Sequence, residues 1–577
     1  MKVETPQILW NASEEESTNY RKKGKGGLNA ALYSIDLLAS GLPEPHNHVM
    51  VTAGNSSQLN LWSVCIEPCD QAKPNHSIFQ RKATTLAPGA SKSSGLTFLC
   101  SLGRDHPAVN CVKFSPDGLH LAVGSDGANL QLFSVPWHKR GNGNGHHYWS
   151  TLTQDSCELT YRVVNTGEGI TDLSWSKDGK RLLVASLDHS VCLVQNLGSS
   201  GNDEWTVAYR SSEHLHYVQG VSYDPKGVYL TSMSNDRSIR IYPRKANAKT
   251  LKKVIKQKKQ QHAAEQEAEQ EKKKASPLQA TTKNNSESTT LSPDEAIQDW
   301  LNNTKFEVSK TRLIKYAPKT HPDMPRHGWF ADESTLESFF RRLEWTVDGN
   351  FLICPAALHR SEGAQQHQHA VLVFARHNFD EPHKILTGFQ KPAVAVRPNP
   401  VLFELPATDK ENTDEKKVRN IFCVLTWDSI VIYDTHHKEP LALISGLHYA
   451  NLTDAAWTAD GHSLVVSSSD GYVTLVRFAR GELGVPREVE KSPENCPLVQ
   501  STAAALNKVL RVDDSKPPIV PPTEPGPMEL ADSRPSKKAK VNFAESSLPQ
   551  KRDTKEPNLL VPKKKKRIQP VLMAVSK

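Results

Sequence analysis

One pattern recurs along the chain and limits its folding more than any other feature. It is an apolar alternation, an aromatic residue, a turn that often closes in Asp-Gly, an apolar run, and an Asp about ten residues further on. It reads VNCVKFSPDGLHLAVGSDGANLQLFSV at 109–135 and ITDLSWSKDGKRLLVASLDHSVCLVQNL at 170–197. It returns as VQGVSYDPKGVYLTSMSNDRSIRIY at 218–242 and LTDAAWTADGHSLVVSSSDGYVTLVRF at 452–478. FRRLEWTVDGNFLICPAAL at 340–358, with VLVFAR at 371–376, is an interrupted copy; IFCVLTWDSIVIYD at 421–434 lacks its first half, and VMVTAGNSSQLNLWSV at 49–64 fits as the first. Alternation with period two makes a half-buried strand. In Ser-Pro-Asp-Gly, Pro presets φ near −65° and Gly tolerates positive φ, so the segment closes a hairpin. The next strand is mostly apolar, as an inner strand must be, and a second tight turn leads to a third strand. That strand ends in an aromatic or aliphatic pair, as at Trp62, Phe133, Tyr242 and Tyr433.

Each copy is one propeller blade and resembles the WD40 repeat. The expected fold is all-β, a seven-bladed propeller whose closure removes exposed sheet edges. Blades one to four occupy 1–243 and blades five to seven 306–486, with the strand in KVETPQILW (2–10) completing the last blade and latching the ring. His106 and His214 precede two blades, where WD40 repeats often carry Gly-His. The aspartates 117, 178, 188, 236, 348, 460 and 470 fall at repeat turns, where a carboxylate caps backbone N–H groups. The tryptophans 62, 175, 345, 427 and 457 fall at core positions.

Two stretches lie outside the repeat. Residues 244–274 hold 11 Lys and Arg against 4 Glu with no Pro or Gly, and Ser, Thr, Asn and Gln continue to about residue 300. We expect 244–305 to be a disordered basic insertion between blades four and five. Residues 481–577 carry 14 of the 37 prolines and 18 Lys and Arg against 12 Asp and Glu, so 487–577 reads as a disordered tail. Overall hydrophobic content of 37% fits a chain that does not fold throughout. The net charge of +8 therefore sits in two segments, leaving a slightly acidic body suited to basic neighbours.

Little in the sequence points to chemistry. RKKGKGG at 21–27 lacks P-loop spacing, and no G-x-S-x-G elbow occurs. The histidine pairs 146/147, 367/369 and 436/437 have no Cys or carboxylate companions at ligand spacing and read as surface residues. Nine cysteines without a C-x-x-C pair suggest reduced, buried thiols. No apolar run reaches the ~18–20 residues of a membrane helix, and the start lacks a signal-peptide core. We expect no enzyme activity and no metal or cofactor.

The C-terminus is the informative segment. Lys563, Lys564, Lys565, Lys566 and Arg567 form a compact cationic run of the nuclear-import type. It leads into alternating apolar residues, R-I-Q-P-V-L, a short β-prone stretch that reads as a docking strand for a partner's sheet edge.

The opening MKVETPQILW with YSIDL at 33–37, HYVQGVSYDPKGVYL at 216–230, SFFRRL at 338–343, PVLFEL at 400–405 and SSSDGYVTLVRFARGELGVP at 467–486 give a resemblance across most of 1–486. They resemble the middle WD40 subunit family of chromatin assembly factor 1 and, more widely, the HIRA-type histone chaperones. The block Phe339, Phe340, Arg341 and Arg342 is its most specific internal mark. KKRIQPVL at 565–572 resembles the motif through which these families bind the anti-silencing-function histone chaperone. From that resemblance Arg567 would meet acidic residues of the partner. Ile568 and Leu572 would fill apolar pockets on either side of Pro570. Lys566 stands where the family usually has Arg, a point charge in place of a bidentate fork. The resemblance implies a nuclear scaffold that joins the large and small assembly-factor subunits and helps deposit new H3–H4 during replication and repair, with DNA contact at most indirect or through the basic segments. Alternatives are a HIRA-type replication-independent member of a histone chaperone complex, a WD40 substrate adaptor of a ubiquitin ligase, and an RNA-processing protein using 244–274.

Overall fold

Period-two segments fold here as antiparallel hairpins, and their burial follows their rank within each blade. The computed structural model describes residues 2–4, 31–38, 47–55, 59–66, 96–102, 107–134, 158–198, 203–245, 306–317, 328–331, 336, 338–360, 366–405, 418–487 and, for the backbone, 571–573. Strand β1 (Lys2–Glu4) begins the chain. Blade one contains β2 (Leu32–Leu37), β3 (Asn47–Gly54), β4 (Leu59–Cys65) and β5 (Leu96–Leu102). Blade two contains β6 (Val109–Phe114), β7 (His120–Ser125), β8 (Asn129–Ser134) and β9 (Glu158–Asn165). Blade three contains β10 (Ile170–Trp175), β11 (Arg181–Ser186), β12 (Val191–Asn196) and β13 (Trp205–Ser211). Blade four contains β14 (Val218–Tyr223), β15 (Tyr229–Ser234), β16 (Ser238–Pro243) and β17 (Arg312–Ile314). Blade five contains β18 (Glu344–Trp345), β19 (Phe351–His359), β20 (Gln368–Ala375) and β21 (Lys384–Phe389). Blade six contains β22 (Ala393–Glu404), β23 (Val418–Thr426), β24 (Ser429–Asp434) and β25 (Ala442–Ser445), with β29 (Val571–Met573) added outside β25. Blade seven contains β26 (Leu452–Trp457), β27 (Ser463–Ser468) and β28 (Val473–Arg477), and β1 completes it.

The expected seven-bladed all-β propeller is what forms. Lys2, Val3 and Glu4 pair antiparallel with Arg477, Val476 and Leu475, so the chain's start closes its last blade. Inner strands are buried along their whole length, as in β14 and β15, whereas the outer β13 is buried only at its two ends and exposed at Val207 and Arg210. Side chains interlock between neighbouring blades. Ile35, Met50 and Trp62 of blade one pack with Ala456, Val465 and Leu475 of blade seven across the closure. Such packing lets blades that could not bury both faces alone form one core.

The repeat turns behave as their residues dictate. Asp117 accepts from Ser115 Oγ at 2.5 Å and from the Leu119 amide. Asp460 does the same with Thr458 and His462. Gly461, at φ +70°, follows, and a Cβ there would lie 2.4 Å from Asn399 Oδ1.

Two boundaries differ from the sequence expectation. The insertion falls within blade four, between β16 and β17, because Arg312–Ile314 returns after it to pair with Ile239–Ile241. Blade six does not lack its first half: β22 pairs with β23 and shifts register between Pro398 and Leu402. The basic insertion 244–305 apart from residues 244–245, the tail 487–577 apart from 487 and 571–573, and His106, His146 and His147 lie outside the described residues.

Candidate interaction surfaces

The first strand of every blade faces the propeller axis, and there the fold gathers ionised side chains far apart in sequence. Arg342, fully buried, reaches Asp454 Oδ2 at 3.0 Å and Asp172 Oδ1 at 3.4 Å. It also donates to the carbonyls of Tyr33 (3.1 Å), Asn110 (2.9 Å) and Thr453 (3.3 Å). One guanidinium therefore joins blades one, two, three, five and seven. Arg397 of blade six bonds Asp454 at 2.8 Å and Glu344 of blade five at 3.1 Å. Ser222 of blade four donates to Glu344 at 2.6 Å. Lys113 and Asp36, 3.5 Å apart, tie blade two to blade one.

The electrostatics follow from this pairing. Burial by itself would raise the Asp454 carboxyl, but Arg342 and Arg397 outweigh it and hold it well below the ordinary carboxylate range. Burial is the stronger influence on Glu344 and Asp172, whose carboxyls are raised. A charge left alone here would cost several kcal/mol, so the axis is a lock, with partners for both signs. Burial likewise pushes the Cys423 thiol up to about 12 and raises those of Cys111 and Cys354, which makes them poor nucleophiles. Among the described residues no group of three His, Cys, Asp or Glu is placed to hold a metal ion.

The block singled out in the sequence divides into lock and surface. Arg341 is fully buried and donates to Ala331 O at 2.6 Å and Asn235 Oδ1 at 2.8 Å. Phe340 lies 4.1 Å beneath the Arg342 guanidinium, a cation–π contact inside the protein. Phe339 alone turns outward, 40% exposed, with its ring 5.0 Å from Phe340. The backbone of the block crosses blade four so closely that a Cβ on Gly220 would lie 2.0 Å from Arg341 O.

Among the described residues, His214 and His448 have buried side chains, and the aspartate each contacts accepts the amide of the exposed residue that follows the histidine. His214 contacts Asp236 at 2.9 Å and Ser232 at 2.7 Å, and Asp236 accepts from the Leu215 amide. His448 contacts Asp470 at 3.2 Å and Thr474 at 2.8 Å, and Asp470 accepts from the Tyr449 amide. Leu215 and Tyr449, each beside such a network at the same point of its blade, are 77% and 72% exposed. Sequence reading identified His214 and missed His448, although both stand 22 residues before their aspartate.

The third surface is the outer edge of blade six. The backbone of β29 pairs antiparallel with β25, placing Val571, Leu572 and Met573 opposite Ser445, Ile444 and Leu443. Of the docking motif, Leu572 is in this strand; Lys566, Arg567, Ile568 and Pro570, with Lys563, Lys564 and Lys565 of the import run, lie outside the described residues.

A family model described as the CAF1B/HIR1 beta-propeller domain matches residues 28–297 and 280–483. The chain belongs to that family. A relative named chromatin assembly factor 1 subunit FAS2 homolog, from Oryza sativa subsp. japonica, is 30% identical over 460 residues, covering 78% of this chain and 73% of its own. A relative from Mus musculus, likewise named as a chromatin assembly factor 1 subunit, is 28% identical over 507 residues, 84% of this chain and 68% of its own. The protein of the same name from Schizosaccharomyces pombe is 27% identical over 549 residues, 89% and 93% of the two chains. The resemblance to this family read from the sequence is borne out, and Arg342 of the SFFRRL block is the residue that reaches the charged cluster at the propeller axis.

Proposed function

We propose that this chain is the WD40 scaffold of a histone chaperone complex of the chromatin assembly factor 1 type, acting without catalysis of its own. The observation that carries this reading is the similarity to chromatin assembly factor 1 relatives along nearly the whole chain. The propeller joins the large and small subunits. The cationic run Lys563–Arg567 directs nuclear import. The motif from Lys566 to Leu572 docks the anti-silencing-function histone chaperone, with Arg567 as the cation and Ile568, Pro570 and Leu572 as the apolar contacts. New H3–H4 would pass through that tether to DNA at replication and repair. A body locked with buried ion pairs, with Leu215, Phe339 and Tyr449 exposed on it, suits a protein that organises partners.

Affinity capture of the tagged full chain from nuclear extract tests the reading. Recovery of a large assembly-factor subunit with H3–H4 supports it. Recovery of a HIRA-type complex, or of a cullin adaptor, overturns it in favour of the corresponding alternative. Calorimetry on the 561–577 peptide tests the tail separately: the chaperone binds it and loses affinity for Arg567→Ala, and equal binding defeats the assignment.

A further inference from the structure

Among the described residues six blades have four strands and blade six has five. The surplus strand, β29, contains Leu572, the last residue of the motif assigned above to docking. An outer strand presents a row of unpaired N–H and C=O groups, and proteins usually guard it with charge. The outer strands of blades three, four and five carry Arg210, Arg312 and Lys384. That of blade six reads Ala-Leu-Ile-Ser, without a charge or a proline. Blade one's outer strand, Leu96–Leu102, is uncharged too, and its Phe98 packs edge-on against Trp62 at 5.3 Å. Blade six thus offers an open apolar edge, and the chain's own end is seated on it in a defined register.

We infer that the outer edge of blade six is a strand-addition site whose occupant is the segment Val571–Met573 of this chain, and that Leu572, the last residue of the docking motif, is held there in cis until a partner's sheet edge takes it. The inference rests on the tail-docking reading above. Its logic is exclusion. A strand whose edge groups are paired with Leu443–Ser445 cannot pair the same groups with a second sheet. Three residue pairs make a small latch, since each backbone hydrogen bond is a modest net gain against water. A partner with more contacts can therefore displace it, while unpartnered tail stays masked. A motif available in only a fraction of molecules binds more weakly in proportion to that fraction. The free 561–577 peptide should accordingly bind the chaperone about twofold to fivefold tighter than the full chain does.

A register-specific disulfide gives the decisive experiment. In full-length protein carrying Ser445→Cys and Val571→Cys, the two positions face each other across the strand pair. Mild oxidation should give an intrachain link, mapped by mass spectrometry, far above the yield of Ser445→Cys with Ser547→Cys. The oxidised protein should lose binding to the anti-silencing-function chaperone, and reduction should restore it. A linking yield no higher than the control overturns the seat on blade six. Efficient linking with unchanged chaperone binding overturns the masking. If the free peptide itself fails to bind, the docking reading falls, and the linking yield alone still decides whether the tail occupies the edge.

Discussion

Blades six and seven are neighbours, and each receives a strand from one end of the chain. The two strands are not equivalent. β1 supplies the fourth strand that blade seven lacks and joins it to the start of the ring, whereas β29 adds a fifth strand to a blade already complete. A missing fourth strand leaves β28 with an open edge and the closure undone. A missing fifth strand returns blade six to the composition of the other blades. The difference separates a strand that completes its blade from one added to a complete blade, and it is the physical basis for the closure at one terminus and the docking proposed for the other.

The largest effect is expected where the two blades meet at the axis. Asp454 of blade seven pairs with both Arg397 of blade six and Arg342. Asp454→Ala removes the carboxylate that two buried guanidinium groups share, leaving Arg342 with Asp172 and Arg397 with Glu344, and removing one partner of such a pair costs about 3–5 kcal/mol. Denaturant unfolding of the full chain measures it. A loss below about 1 kcal/mol would mean that blades six and seven are held together by side-chain packing alone.

Next comes the closure strand. Deleting residues 1–4 removes the pairing of three residues with β28. At about 1 kcal/mol for each backbone hydrogen bond, the expected loss is about 3 kcal/mol. Deleting 571–577 should cost less, under about 1 kcal/mol, because blade six keeps four strands without β29 whereas blade seven is left with three without β1. Equal losses would erase the distinction between the two ends.

Acid sharpens the comparison in a third way. Burial by itself would raise the Asp470 carboxyl, but His448 and the amides of Tyr472 and Tyr449 hold it below its ordinary value. In blade six, burial also opposes Asp434, whose carboxyl is held down by the His437 amide and ring and by Arg419, 2.7 Å away. A depressed folded-state value means that the stability contributed is complete above the unfolded value near 3.9 and is lost as pH falls below it. His448→Ala should therefore shrink the acid-dependent loss between about pH 5 and 3. His437→Ala should shrink it less, because Arg419 still holds Asp434. Stability measured against pH for both variants checks this, and a larger effect at His437 would overturn the ranking.

What the sequence displayed depends on how locally the information is written. The hairpins of blades two, three, four and seven were legible because each is an alternation closed by Asp-Gly or Lys-Gly within about 25 residues. β17 was not, since Arg312–Ile314 is three residues long and finds its partner across the insertion. β22 was missed because its connection to β23 contains no Asp-Gly turn. The axis was illegible for a deeper reason: Asp36, Lys113, Asp172, Glu344, Arg397 and Asp454 meet only after the ring has closed. Arg341 and Arg342 stood out through family resemblance, and spacing alone gave them no role. His448 could have been found from the 22-residue interval it shares with His214. For the tail, apolar alternation after a basic run marked a strand in search of an edge, but the edge on blade six exists only in the assembled propeller.

That last pairing sets the smallest expected effect on stability. Val571→Pro removes one N–H from β29 and fixes φ where an edge strand must pair, so it should detach the strand from Ser445. Blade six is not otherwise touched. The thermal midpoint should stay within about 1 °C, since about 1 kcal/mol moves a domain larger than 150 residues by some 2–4 °C. Hydrogen exchange should nevertheless change locally: those Ala442–Ser445 amides that face β29 should exchange faster, while amides bonded to β24 keep their protection. Unchanged exchange along the whole strand would place the tail elsewhere. A midpoint shift as large as that from deleting residues 1–4 would make β29 as much a part of the fold as β1, and a strand of that kind could not be lent to a partner.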